Sequence, residues 1–188
     1  TFTNAGVTTA GGAIRNAAGA TLTTTGKLNA AGDISNAGTM NAAGEVSATN
    51  LVNTGTFTVT GALTGVGTGP HVGPIALVRN AGTANAVNVA AAGQLAALGN
   101  VTNAAGTFTN AGQVTAGGNI ANTGGTFLNS GVATAGGNIS NAAGAALTTT
   151  NKLNAVGAIV NAGTMNAAGE VSAAEIRNSG LFTVTAAL

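Results

Sequence analysis

In "LTTTNKLNAVGAIVNAGTMNAAGEVSAAEIRNSGLFTVTAAL", residues 147–188, a large apolar side chain returns at almost every sixth position. Leu147 is followed by Leu153, Ile159, Met165, Val171, Ile176, Phe182 and Leu188. A helix would space its apolar residues three and four apart, and a half-buried strand would space them two apart. Six fits neither, but three such steps close a turn of about eighteen residues. The same steps run through Leu22, Leu28, Ile34, Met40, Val46, Leu51, Phe57 and Leu63. The spacing therefore predicts three inward columns: Leu22, Met40 and Phe57; Leu28, Val46 and Leu63; and Ile34 with Leu51. The coil is three-sided.

Local chemistry favours strands for the sides. Segments such as "TFT", "TMN" and "TFTVT" set one large apolar residue between small polar ones, with β-branched Thr pointing outward. Between them come "NAG", "NAAG" and "TAGG", where Gly accepts positive φ and Asn tolerates it while bonding to nearby backbone. Helices are excluded because Gly or Asn recurs every few residues, at about 1 kcal/mol per Gly. Stacked coils pair each strand in parallel with those above and below, at about 4.8 Å per coil. Roughly ten coils of 18–20 residues are predicted, about 48 Å in all.

The chain also repeats on longer scales. "TFTNAGQVTAGGNIANTGG", residues 107–125, is followed directly by "TFLNSGVATAGGNISNAAG", residues 126–144. Residues 1–63 align without a gap on 126–188, with 46 of 63 positions identical. A 125-residue block should then hold about seven coils and add about 33 Å. Residues 64–100, with both Pro residues and His71, lack a clean six-residue step before Val89, Leu95 and Val101. They read as an irregular coil or excursion within one solenoid domain, rather than a linker between two. The pattern stops partway through a block at Leu188, which points to a segment of a longer fibre.

Composition narrows the chemistry. The 188 residues hold five Lys or Arg, four Asp or Glu, one His and no Cys, with a net charge of +1. Catalysis needs clustered titratable groups, and Asp33, Glu45, Glu170 and Glu175 are scattered, so no enzyme is expected. His71 lies between Pro70 and Val72 with no second His, Cys or nearby carboxylate, and reads as a loop histidine. No metal or other cofactor is expected, since Asp-repeat calcium sites need an Asp in each turn. Five scattered cations, with no Trp or Tyr, argue against nucleic acid. No run of eighteen apolar residues exists to span a bilayer as a helix, and Thr1 opens no signal sequence. Mean hydropathy of +0.37 at low charge argues for folding rather than disorder.

"NAGQVTAGGNIAN" at 110–122, "NSGVATAGGNISN" at 129–141 and "NAGTMNAAGEVSA" at 161–173 resemble filamentous-haemagglutinin repeats. The match is Asn-x-Gly, an apolar residue, then Ala-x-Gly-x-apolar, and it covers most of the chain outside 64–100. The resemblance implies a right-handed parallel β-helix in a secreted, surface-exposed bacterial adhesin. It also implies export by two-partner secretion or as an autotransporter passenger.

Three surface patterns are candidates for function. Lys27 and Lys152 precede inward Leu28 and Leu153, and Glu45 and Glu170 lie eighteen residues on, one coil away. Each Lys–Glu pair should meet outside the coil, contributing about 0–1 kcal/mol and guarding register. Asn4, Asn16, Asn36, Asn53, Asn110, Asn122, Asn129, Asn141, Asn161 and Asn178 recur just before corner glycines, where stacked amides would form ladders serving the turn. Thr1, Thr3, Thr21, Thr23, Thr39, Asn41, Thr56 and Thr58 should share one outer face as a flat polar ladder. In the full chain Asn41, Leu128, Ala145, Asn166 and Leu181 interrupt that array, which weakens an ice-binding reading. An adhesin stalk and a self-associating matrix or sheath filament both fit. Expected partners are further copies of the repeat, and host or neighbouring-cell surfaces through other regions.

Overall fold

Each six-residue step becomes a short strand, an inward side chain and a corner. A computed structural model describes residues 1–63, 77–80 and 86–185, and these form strands and turns with no helix. All pairings between strands are parallel, and strands three apart in sequence lie side by side. The result is a three-sided β-solenoid. Its first face has ten strands, from Phe2–Asn4 to Leu181–Val184, and its third has nine, from Ile14–Asn16 to Glu175–Asn178. The second face is split into sheets of three and six strands. The coil count thus stops short of the ten complete turns expected.

The register follows the apolar columns. Leu22 lies beside Met40 and Met40 beside Phe57, while Ile34 lies beside Leu51. Leu28 pairs with Val46 and Leu63 with Leu95, and the strands that hold Val46 and Leu63 lie against each other without ladder hydrogen bonds. The coil from Met40 to Phe57 is short, a step of 17 residues against 20 from Phe2 to Leu22. On the second face that short coil leaves a strand of just two residues, Val46–Ser47. Met40, Phe57, Phe108, Phe127 and Met165 are fully buried inside the first face, each contributing about 1.5–3 kcal/mol through burial.

Within 64–100, the residues around Pro70 and His71 lie outside the described part. The described residues of this stretch rejoin the coil early. Leu77–Asn80 pairs with Asn50–Asn53 and with Val101–Asn103, so the third face runs on without a break. On the first face Phe57 pairs with Val87, a step of 30 residues, so this coil carries the extra length. That one long coil corrects the length of the block. Six rungs, not about seven, separate Phe2–Asn4 from Thr126–Asn129, or about 29 Å.

Glycine serves the corners in two ways. Gly19, Gly106, Gly125 and Gly144 have φ between 70° and 79°, each where the corner between third and first faces is longest. No other residue type takes positive φ among the described residues, so Asn is not used for that purpose. Most other corner glycines admit a neighbouring rung: a Cβ on Gly131 would lie 2.7 Å from the Ala111 carbonyl carbon. Gly125 combines both demands, since its Cβ would also strike the Gly106 backbone, whereas a Cβ on Gly144 would meet nothing. Gly144→Ala is expected to cost about 1 kcal/mol from φ alone, and Gly125→Ala about 2–3 kcal/mol. Urea denaturation of the two variants checks the difference.

Candidate functional site

Along the third face the sequence pattern converges on one residue type. All nine strands of that sheet end in Asn: residues 16, 36, 53, 80, 103, 122, 141, 161 and 178. At residues 16, 36, 53, 103, 122, 141 and 161 this position is buried, where an amide needs partners for two donors and one acceptor. Stacking supplies them. Asn16 Nδ2 donates to Asn36 Oδ1 at 2.7 Å, and Asn36 Nδ2 to Asn53 Oδ1 at 2.7 Å. Further along, Asn103 donates to Asn122, Asn122 to Asn141 and Asn141 to Asn161, each at 2.8 Å, and Asn161 donates to Asn178 at 2.7 Å.

Each amide also closes a corner. Asn36 Nδ2 donates to the carbonyl of Thr56, Asn122 to that of Ala146 and Asn141 to that of Thr164, at 2.8–2.9 Å. The second N–H thus ties the end of one coil to the first strand of a neighbouring coil. A shorter ladder runs inside the corner of the first and second faces. There Asn110 donates to Asn129 at 2.8 Å and Asn129 to Thr149 Oγ1 at 3.0 Å, while Asn4 donates to Thr24 Oγ1 at 3.1 Å. The sequence reading placed ten of these asparagines and passed over Asn80 and Asn103. Both carry the same signal, Asn-Ala-Gly and Asn-Ala-Ala-Gly.

A third set of asparagines lies outside, at the corner of the second and third faces. The backbone N–H of Asn119 donates to Asn100 Oδ1 at 2.8 Å, that of Asn138 to Asn119 Oδ1 at 2.7 Å, and that of Ala158 to Asn138 Oδ1 at 2.8 Å. These oxygens lie where a Cβ would be on Gly118, Gly137 and Gly157. The "GGN" spelling of this corner therefore couples a missing Cβ on one rung to an amide on the rung before it.

The charged residues are few, and six of the nine form ion pairs. Lys27 Nζ is 3.0 Å from Glu45 Oε2, and Lys152 Nζ is 3.0 Å from Glu170 Oε1, both where the corner from the first face enters the second. These are half-exposed contacts, each contributing about 0–1 kcal/mol. Beside them Asn29 and Asn154 each keep a buried Oδ1 without a donor. A Lys ammonium two residues away on the same strand side argues against a cation there. Arg177 donates to Glu175 at 2.7 Å on the third face, a pair that the sequence reading missed. That hydrogen bond holds the exposed Glu175 carboxyl below its ordinary range. Asp33 accepts from Asn50 Nδ2 at 2.9 Å. Among the described residues no three His, Cys, Asp or Glu side chains come together.

On the first face one outward column runs Thr3, Thr23, Asn41, Thr58 and Asn88, then Thr109, Leu128, Thr148, Asn166 and Thr183. A second column pairs Thr21 with Thr39 and Thr39 with Thr56, and later Thr107, Thr126, Ala146, Thr164 and Leu181. Thr1 precedes the first strand, so strand pairing does not fix its place. Ala146, not Ala145, stands where Thr21 stands in the first copy, because Ala145 turns inward and is buried.

Comparison with curated proteins and with solved structures yields no match. A family model described as the haemagglutinin repeat matches residues 1–64, 76–131 and 123–186. These segments take in both copies of the duplicated block and nearly every rung of the inner ladder, and the chain belongs to the haemagglutinin-repeat family.

Proposed function

We propose that this chain is a stalk or spacer segment of a secreted or cell-surface fibrous adhesin, with a mechanical rather than a catalytic role. Membership of a family typical of secreted and cell-surface adhesins supports the setting. The observation that carries the spacer reading is the block of six rungs from Phe2 to Phe127, after which the inward residues begin again in the same order. Copying such a block lengthens the rod without altering its cross-section, because each coil contacts mainly its neighbours. The receptor-binding groups of the adhesin then lie outside this segment, and its own partners are further repeats.

Placing an extra copy of residues 1–125 ahead of Thr1 tests the reading, since residue 126 onward repeats residue 1 onward. The longer rod should gain about 29 Å in maximum dimension by small-angle X-ray scattering. Its circular dichroism per residue should not change. An unchanged dimension, or a globular particle, would overturn the spacer.

A further inference from the structure

Of the nine charged residues, five lie on strands of the second and third faces, Asp33 lies at the corner between those faces, and Glu45, Lys152 and Glu170 lie at the corner that leads from the first face into the second. No strand of the first face carries one over ten rungs. Outward on that face stand mostly Thr and Asn, with Leu128 38% exposed near the middle and Leu181 60% exposed at the last rung. Around Leu128 is a shallow depression of about 250 Å³, bordered by Thr109, Ser130, Thr148 and Thr150. We propose that the first face is a homotypic contact surface, on which a second copy of this chain packs sheet against sheet.

Three arguments select a second copy as the occupant. First, an identical face is a good partner only if its groups can both donate and accept. Hydroxyls and carboxamides do so, whereas Lys or Glu would meet its own kind and repel. Second, the charges elsewhere keep the other two faces solvated, so the uncharged face loses least on leaving water. Third, the area suffices. Ten strands at about 4.8 Å make the face about 43 Å tall, and four residues per strand make it about 13 Å wide. A pair would bury about 1,100 Å², above the roughly 1,000 Å² that a specific interface needs. The inference goes beyond the spacer reading, since a spacer functions paired or alone, and the two fail separately.

Sedimentation over a range of concentrations tests it. The chain should dimerise, and the double variant Thr109→Lys with Thr148→Lys should weaken dimerisation at least tenfold. Thr115→Lys, on the second face, should leave it unchanged. Because a lysine on a half-covered strand position can also disturb folding, a second measurement uses cysteine, which the chain lacks. Packed sheets lie about 10 Å apart, so a bis-maleimide of that span should link Thr109→Cys chains to each other and leave Thr115→Cys chains single. A chain monomeric at millimolar concentration would overturn the proposal. So would equal cross-linking at both positions. Thermal hysteresis from a monomeric chain, lost in the Thr109→Lys and Thr148→Lys variant, would make ice the occupant instead.

Discussion

Replacing Phe127 by Ala is expected to lower stability by about 3–5 kcal/mol, the cost of removing a large buried ring whose site cannot collapse. Phe127 is fully buried and stacks on Phe108, with ring centroids 5.0 Å apart and planes inclined by 17°. Its register partner on the next rung is Leu147. Neither neighbour can move into the space, because hydrogen bonds on both sides hold each rung at its height. Phe127→Leu keeps most of the volume and should cost less than about 1.5 kcal/mol. Guanidinium denaturation followed by circular dichroism measures both. Equal losses would mean that stacking, rather than filled volume, is what the site requires.

Asn141→Asp changes one atom of the side chain and is expected to cost about 3 kcal/mol or more at neutral pH. Asn141 is buried; it accepts from Asn122 and donates to Asn161 Oδ1 and to the Thr164 carbonyl. A carboxylate keeps the first bond, but it turns both donations into contacts between acceptors and buries a charge with no cation near it. Burial and those oxygens would raise the folded-state pKa of the new carboxyl above its unfolded value. The folded variant then binds the extra proton more readily. Its stability should therefore rise as pH falls through the raised value, opposite to the usual behaviour of a paired carboxylate. Urea midpoints at neutral and at mildly acidic pH check the sign. A midpoint that does not move with pH would place position 141 in contact with water.

Much of this fold is legible in the sequence because inward positions are spelled with large residues at a fixed step. Leu22, Met40 and Phe57 declare their column by size alone. The missing ladder bonds between Val46 and Leu63 are not legible, because residue types and spacing there are those of a continuous column. The six-rung block is only half legible: both Pro residues mark an irregular stretch between Phe57 and Val87, but nothing in it says that its 30 residues span a single rung. Asn announced itself by recurrence before Gly, but the reason lay beyond sequence. Among the described residues, positive φ is confined to four glycines, which leaves Asn free to turn inward and bond to its own copies. The Lys27–Glu45 spacing was legible because both flank inward residues one coil apart. Arg177 with Glu175 was not, because that pair lies along a single strand rather than between rungs. The absence of charge from the strands of the first face appears only when residues distant in sequence are projected onto the coil.

The inner asparagine ladder has an electrical direction. Backbone groups of a strand point alternately to the rung before and the rung after, so their dipoles nearly cancel along the axis. The ladder amides all point one way, each Nδ2 donating to the rung that follows. Their dipoles add, as those of peptide units do along a helix. A rod built this way has two unlike ends, an oxygen-rich one at Asn16 and a donor-rich one at Asn178. Two rods lying side by side with opposite polarity attract through these dipoles, and with the same polarity they repel. A row of neutral side chains buried where no partner can touch them thereby favours antiparallel order among neighbouring fibres.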